Sequence, residues 1–522
     1  MTPRSEAWRQ CAVEVWAPTA SEMEAIDRRA VEAGLAAERT LIEAAGRELA
    51  DRVEERRPRG PVCALVGSGH NGADALVALR TLAARGRDVR AVRGGSAPPE
   101  PDVRAGWPIA FDDPDAFLSS PPTEGVLIDG LLGTGAAGAP RAPMAGLIER
   151  ANALGLPIVA ADLPSGADAT TGEVPGACVR ADLTVCFGWP KLGLLRFPAR
   201  SRAGRIEAVE IGFPPPDRPA RARVITARWA DELLRDRPPT GHKGTSGYLL
   251  LLAGAKGMAG ASVLAGRAAY RAGAGIVRIA GSPANREIVQ RAVPGAVWAS
   301  WDEDPTPHLE WAHALAAGPG LGRDPGRRRL LDAIFERRAD RPIVLDADGL
   351  NAYADDPAAL AARLTGADVI TPHPGELARL VERPADGGGE APTAAADAAR
   401  RFGCVVVLKG NPTVVATPGD ELRVAVTGGP AMAVGGTGDV LTGAIGAALA
   451  AGYAAADAAT VALLLTGLAA ERTGFGDVGM VAGDLPPAIP EARMAIEALG
   501  PGPSGAVRFA LRAPVEREPE GG

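Results

Sequence analysis

Gly435-Gly436-Thr437-Gly438-Asp439 runs directly into residues 440–450, an apolar, Ala-rich stretch with helical character. Glycines let the backbone turn consecutive N–H groups toward one point, and a helix start at that point favours an anion through the macrodipole. An aspartate in the first helical turn is then placed to take a proton from an attacking hydroxyl. Alone, such a stretch is equally well a Gly-rich turn with an aspartate capping a helix. Working outward, four further polar or Gly-rich motifs each follow a short β-type run. Lys409-Gly410-Asn411-Pro412-Thr413 follows Val405-Val406-Val407-Leu408, and Thr371-Pro372-His373-Pro374-Gly375-Glu376 follows residues 368–370. Asp346-Ala347-Asp348 follows residues 342–345, and Gly318-Pro319-Gly320-Leu321-Gly322 follows residues 314–317. Ligands of open parallel sheets bind outside the carboxyl ends of the strands, so motifs at several such ends describe one crevice.

The first half repeats the architecture with other motifs. Residues 20–57 carry helical periodicity; Pro61-Val62-Cys63-Ala64-Leu65-Val66-Gly67 reads as a buried strand leading through Gly67-Ser68-Gly69-His70-Asn71-Gly72 into a helix over 73–85. Further strands are expected at 89–92, 126–129, 157–162 and 181–187. Ordinary dinucleotide binding through this GxGxxG fails, because the acid wanted about 20 residues on is replaced by Val92-Arg93. Asp129, Gly133-Thr134-Gly135 and Asp162-Leu163-Pro164-Ser165-Gly166 each follow a predicted strand and converge on the same edge. Strands alternating with helices throughout predict an α/β chain of two domains. The N-terminal one is a Rossmann-like doubly wound sheet over 1–220. A linker follows over 221–240, the proline-rich stretch 213–219 marking the boundary. A second α/β domain spans 241–500, and 501–522 are expected to be a disordered tail.

The 522 residues are 46% hydrophobic and 23% charged, with a net charge of −7, which argues against nucleic acid as a partner. Five scattered cysteines without a CxxC pair argue against disulfides and zinc, and no apolar leader opens the chain. The most apolar stretch, 443–470, is interrupted at Gly452, Tyr453 and Asp457 and reads as two core helices rather than a membrane span. A cytoplasmic enzyme acting on small molecules, with no membrane contact and assembled as a homo-oligomer, is the expectation. Of 56 basic residues only Lys191, Lys243, Lys256 and Lys409 are lysines. A lysine retained in such a background points to a role arginine cannot fill.

In family order, His242-Lys243-Gly244-Thr245-Ser246-Gly247, Gly257-Met258-Ala259-Gly260-Ala261, Arg271-Ala272-Gly273-Ala274-Gly275, Gly318 to Gly322, Thr371 to Glu376 and Gly435 to Asp439 together resemble the ADP/ATP-dependent NAD(P)H-hydrate dehydratases of the ribokinase-like superfamily, over about 235–492. The resemblance implies a ribokinase-like α/β/α domain that phosphorylates the hydroxyl of a hydrated nicotinamide, whose loss as phosphate restores the cofactor. It implies Asp439 as base contacting the hydrate, with Ala261, Gly320 and His373 lining its pocket. Gly436, Thr437 and Gly438 form the anion hole. Lys409, Gly410, Asn411, Pro412, Thr413 and Gly438 hold ADP or ATP with Mg²⁺, for which Glu376 is the candidate residue. Asp346 and Asp348 are expected to cap the strand-to-helix turn.

Over about 17–213, Gly69 to Asp74, Asp129, Gly133 to Gly135, Asp162 to Gly166, Ala181 to Thr184 and Phe187-Gly188-Trp189-Pro190-Lys191 resemble the NAD(P)H-hydrate epimerases. That family's loop usually reads Asn-Asn-Gly-Gly-Asp, and here His70 and Ala73 depart from it. The resemblance implies K⁺ held by Asn71, Asp129 and Ser165, an all-oxygen set suited to such a cation. It implies Asp162 as acid/base. Substrate contacts fall on His70, Asn71, Gly72, Ala73 and Asp74, on Gly133, Thr134, Gly135, Ala136, Ala137, Gly138 and Ala139, and on Asp162. His70 alternatively reads as a solvent-facing loop residue. The implied substrates are the R and S hydrates NADHX and NADPHX. Two competing readings are a vitamin-precursor type kinase, and a first half that only binds.

Overall fold

The computed structural model describes residues 12–95, 103–104, 106–107, 109–213, 220–381, 391–499 and 506–514. The chain divides into two compact units, Met1–Arg223 with Pro501–Gly522, and Val224–Gly500. The boundary expected at 213–219 lies, from 214 on, outside the described residues. The expected linker is structured in part, holding a strand and the helix Ala227–Leu233, in which Trp229 and Ala230 are buried.

In the first unit the strands are β1 (Val62–Val66), β2 (Val89–Arg93), β3 (Phe111–Asp112), β4 (Val126–Gly130), β5 (Ile158–Ala161), β6 (Leu183–Phe187) and β7 (Arg205–Val209). The strands of the second sheet are β8 (Ala222–Val224), where the division between the units falls, β9 (Tyr248–Leu252), β10 (Ile276–Gly281), β11 (Val297–Ser300), β12 (Ala314–Ala317), β13 (Ile343–Leu345), β14 (Val369–Ile370), β15 (Val405–Leu408), β16 (Thr413–Ala416) and β17 (Leu422–Ala425). The last strand, β18 (Val507–Leu511), belongs to the first sheet.

That sheet is ordered β18-β7-β6-β5-β4-β1-β2-β3. All its pairs are parallel except β18 on β7. Strand β1 shows why it is doubly wound. Val62, Ala64 and Val66 enter one core with the helices Glu38–Arg56 and His70–Ala84, while Cys63 and Leu65 enter a second core with Leu147, Ile148 and Ala151 of the helix Met144–Ala153. A continuous apolar run is what a strand covered on both faces requires. The expected disordered tail does not hold for 507–511, which form β18 with Phe509 and Ala510 buried. Residues 501–505 and 515–522 lie outside the described residues.

The second sheet runs β11-β10-β9-β12-β13-β14-β15-β16-β17-β8, parallel from β11 to β15 and antiparallel through β16 and β17. The apolar stretch 443–470 divides, as expected, into the helices Thr437–Ala450 and Ala455–Arg472. No helix among the described residues is long and apolar enough to cross a membrane. Helix Thr437–Ala450 lies against β9, β12 and β13, and packs on the helix Ala259–Arg271. Cys63, Cys178, Cys186 and Cys404 are free and buried, while Cys11 lies outside the described residues.

Candidate active sites

In the second unit β9, β12, β13, β14 and β15 are consecutive neighbours in the sheet and all run in one direction. Their carboxyl ends therefore form a row, and the residues just past them face one crevice. Asp346, 1% exposed, ends β13 at its centre. Its Oδ1 accepts from Lys409 Nζ at 2.7 Å, and its Oδ2 accepts from Thr442 Oγ1 of the helix Thr437–Ala450 at 2.8 Å. One buried carboxylate thus ties the nucleotide loop to the helix that carries Asp439. The expectation that Asp346 caps a turn is not met, since both its oxygens are taken by side chains. Asp348 does accept a backbone N–H, from Gly322 at 2.9 Å, linking the Gly-Pro-Gly-Leu-Gly turn to the end of β13.

Asp439 is half-buried in the first turn of that helix, whose N-cap Gly436 takes φ +98°, a conformation that side chains resist. The first-turn amides of Thr437, Gly438 and Asp439 have no partner within the helix, as at any helix start. Desolvation pushes the Asp439 carboxyl up to about 7, the neighbouring charges of Asp346 and Asp348 add to the shift, and the Lys409 ammonium opposes it. The outcome is a carboxyl that titrates near neutrality, as a general base would require. The Lys409 ammonium is less easily deprotonated than usual. Desolvation works against the charge, but Asp346, Glu376 and Asp439 together outweigh it.

The residues expected to form the anion hole and those expected to hold the nucleotide therefore meet at one place. A Cβ on Gly438 would lie 3.5 Å from both Asp346 Oδ2 and Lys409 Nζ, so the hole, the lysine and the buried acid are in contact range. Gly410 and Thr413 close the nucleotide loop on itself, Thr413 Oγ1 donating to the Gly410 carbonyl at 2.9 Å, with Asn411 and Pro412 between. Ala261 and Gly320 are also adjacent, a Cβ on Gly320 falling 3.0 Å from that of Ala261. His373 is exposed, its Nδ1 accepting from Gly375 N at 3.0 Å. Glu376 stands in the first turn of the helix Pro374–Val381. Its Oε2 accepts from His373 N at 2.9 Å and lies 3.8 Å from Lys409 Nζ, and its Oε1 lies 3.5 Å from His373 Nε2. It is a buried helix-start carboxylate already occupied. Among the described residues no group of three His, Cys, Asp or Glu side chains could hold a metal ion.

In the first unit the helix begins at His70, three residues earlier than the sequence suggests, so Asn71, Gly72, Ala73 and Asp74 form its first turn and not a loop. His70 is exposed and its Nε2 lies 2.8 Å from Glu38 Oε1, the solvent-facing alternative. Asn71 and Asp74, one turn apart, serve two separate groups. Asn71 Nδ2 donates to the Leu132 carbonyl at 2.8 Å, and Leu132 N donates to Ser165 Oγ at 2.9 Å. Ser165 Oγ in turn donates to Asp129 Oδ1 at 2.6 Å, and Ser165 N to Asp129 Oδ2 at 2.8 Å. Asp129 is fully buried, and desolvation lifts its carboxyl to about 6 against hydrogen bonds from Ser165 and Leu131. It has no basic partner among the described residues. A buried carboxylate held only by neutral donors, beside a hydroxyl and a carbonyl, fits a weakly hydrated cation. A cavity beside this group is lined by Gly133, Ala136 and Gly138 of the predicted substrate loop and by Pro164 and Gly166. Thr134 is half-buried there, while Gly135, Ala137 and Ala139 are exposed.

The second group holds Asp162. It follows β5 with φ +63°, unusual for a residue with a side chain, and its Oδ1 accepts from Phe187 N at 3.0 Å and from Lys191 Nζ. Burial pushes Asp74 well up, and the charges of Asp162 and Asp27 push it further. Asp27 is likewise raised to about 6 by desolvation. Sequence reading missed Asp27, an unremarkable acid in the helix Ala20–Glu32, and the buried pairing of Asp346. The scarcity of lysine was the available signal for both pairs. Lys191 and Lys409 bind buried carboxylates, whereas Lys243 and Lys256 are exposed.

Comparisons with known proteins agree with this division. A family described as NAD(P)H-hydrate dehydratase matches residues 249–487, and one described as YjeF-related protein N-terminus matches 38–193. The bifunctional NAD(P)H-hydrate repair enzyme Nnr of Salinibacter ruber is 36% identical, over 93% of this chain and 97% of its own. That of Escherichia coli is 37% identical over 81% and 82%. Among solved structures, the ADP/ATP-dependent NAD(P)H-hydrate dehydratase from Bacillus subtilis co-crystallized with ATP/Mg2+ is 31% identical, covering 52% of this chain and 98% of its own at a TM-score of 0.46. A vitamin-precursor kinase fused to a binding module is not favoured by these relatives. With an epimerase unit ahead of a dehydratase unit, the chain belongs to the family of bifunctional NAD(P)H-hydrate repair enzymes.

Proposed function

We propose that Asp439 is the general base of the dehydratase site and that the phosphate ester it helps to form is an intermediate, not the product. The hydrate's ring hydroxyl gives its proton to Asp439 and attacks the terminal phosphoryl of ADP or ATP. The shortened nucleotide leaves, and expulsion of the new phosphate with a ring proton restores the double bond of NADH or NADPH. The unpartnered amides of Thr437 and Gly438 receive the transferring phosphoryl at the helix start. Lys409 to Thr413 hold the nucleotide, and Ala261, Gly320 and His373 border the hydrate. Mg²⁺ carried by the nucleotide would neutralise phosphate charge when bound, with Glu376 the nearest candidate residue to organise it. The observation that carries this reading is the junction of Asp439, Lys409 and Asp346 at one helix start.

In the first unit Asp162 is the acid/base that interconverts the R and S hydrates, so that both can be cleared. The substrate lies along Gly133 to Ala139 and the turn from His70 to Asp74. Asn71, Asp129 and Ser165 hold K⁺, which would offset the buried charge of Asp129. One assay tests the whole reading. Hydrated NADH of defined S configuration is incubated with protein, Mg²⁺ and either ADP or ATP, and NADH absorbance is followed. Recovery is expected with at least one nucleotide; none with either would sink the repair reading. With the R hydrate, recovery is expected to depend on the first unit, to be lost in Asp162→Ala and to fall when K⁺ is exchanged for a bulky organic cation.

A further inference from the structure

Lys191 is 1% exposed and two residues beyond Trp189, in a bend that follows β6. Its Nζ donates to Asp162 Oδ1 and to the Phe187 carbonyl at 3.2 Å. The next residue, Leu192, donates its N–H to the Pro18 carbonyl at 2.9 Å, which docks the start of the helix Ala20–Glu32 over this bend. That helix brings Asp27 into electrostatic range of Lys191 and Asp162, although it lies outside the residues matched by either family model. One buried ammonium is therefore bound to Asp162 and acts electrostatically on Asp27 and Asp74.

We propose that Lys191 is the positioning residue of the epimerase site, holding the Asp162 carboxylate in one orientation for the hydrate. Asp162 Oδ1 is fixed by the lysine and by Phe187 N, and none of the hydrogen bonds made to the side chain uses Oδ2. The carboxylate cannot rotate without breaking both bonds, so its second oxygen is the one presented to substrate. Lysine rather than arginine suits the place. A compact ammonium meets one carboxylate oxygen and one carbonyl, where a planar guanidinium would need a wider, bidentate surface. Burial pushes the Asp74 carboxyl up and the charges of Asp162 and Asp27 add to that, while the charge of Lys191 opposes it.

The role rests on Asp162 being the acid/base, and the experiment separates the two. Epimerisation kcat/KM is measured against pH for the full chain, for Asp162→Asn, Lys191→Met and Lys191→Gln, and for the double variant Asp162→Asn/Lys191→Met. The groups in electrostatic range of the pair are Asp27, Asp74 and the buried Cys186 thiol, with His70 acting on Asp27 and Arg200 on Cys186, and all are kept. Loss of the lysine is expected to lower kcat/KM on the order of 10²-fold, the lower end of what a placed acid/base contributes. It is also expected to move the acid-side limb to higher pH, because removing a cation from three carboxyls lets protons bind more readily. In the Asp162→Asn background the second substitution is expected to change kcat/KM by less than about threefold, since a residue acting through Asp162 has nothing left to act on. Lys191 substitutions within threefold of the parent, with an unmoved limb and an inactive Asp162→Asn, would overturn the proposal. So would losses that multiply in the double variant. Full activity of Asp162→Asn would instead remove the acid/base assignment beneath it. If Lys191→Met does not fold, Lys191→Gln carries the same comparison, its amide replacing the donor without the charge.

Discussion

At Asp439 function and stability pull in opposite directions. With Asp439 as the proposed base and its carboxyl raised to about 7, dehydratase kcat/KM is expected to rise with pH through about 7, and Asp439→Asn to lose roughly 10²–10⁴-fold of the rate. The sign for stability follows from the same shift. The folded-state value lies above the unfolded value of 3.8, so the carboxyl favours the fold while protonated, and that contribution is lost as pH rises toward 7. Asp439→Asn, which never ionises, is therefore expected to melt at the parent's temperature below about pH 4. It should melt progressively higher than the parent up to about pH 7, with the gap constant beyond; an equal melting point at pH 8 would contradict the buried-base account. Much of this residue was legible from Gly435-Gly436-Thr437-Gly438-Asp439 and its strand-end neighbours. What was not legible is the electrostatic partner. Asp346 sits 93 positions before Asp439, and only the parallel order of β13, β14 and β15 brings it to Lys409.

Elements with a full helical or strand period were readable from sequence, and their beginnings were not. The helix at 70 starts three residues early because Gly69 caps it without a side chain, so no Ser, Thr, Asp or Asn marked the place. Short edge strands such as β3, β8 and β11 have too few residues for a period to register. The helix Thr437–Ala450 shows what the Ala-rich composition is for. A Cβ on Gly443 would fall 2.1 Å from the Ala265 carbonyl of the helix Ala259–Arg271, so the two helices touch backbone to backbone. Gly443→Ala must push them apart, at a cost of about 1–3 kcal/mol for overpacking. Because one helix carries Asp439 and the other Ala261, the same substitution is expected to cut dehydratase activity while leaving epimerase activity intact. Loss of both activities, or of neither, would show that the crossing does not set the site.

At the scale of the molecule the two-unit organisation was legible, because turn chemistry and strand–helix alternation restart after the proline-rich stretch near 213. The return of the chain was not. A Pro-, Gly- and Glu-rich composition is a statement about average solvation, and Val507-Arg508-Phe509-Ala510-Leu511 is a five-residue exception embedded in it. Strand β18 pairs antiparallel with β7, Glu210 N donates to the Ala506 carbonyl at 2.7 Å, and Ala12 N donates to the Arg508 carbonyl at 2.7 Å. Phe509 is 2% exposed, and removing a buried phenylalanine alone costs about 3–5 kcal/mol. β18 also covers the edge of β7, which without it would offer unpaired N–H and C=O groups to other chains. The first unit is therefore built from both ends of the sequence, with the whole second unit inserted between its last two strands. Ending the chain at residue 500 is expected to lower the melting transition of the epimerase unit, to promote its aggregation and to reduce epimerisation on warming. The dehydratase unit, whose sheet contains no residue beyond 425, is expected to keep its transition and its activity. Restoring 501–522 as a separate peptide should raise the first transition in a concentration-dependent way, as binding to the folded state must. A truncated chain whose epimerase unit melts unchanged would show that β18 only decorates that edge.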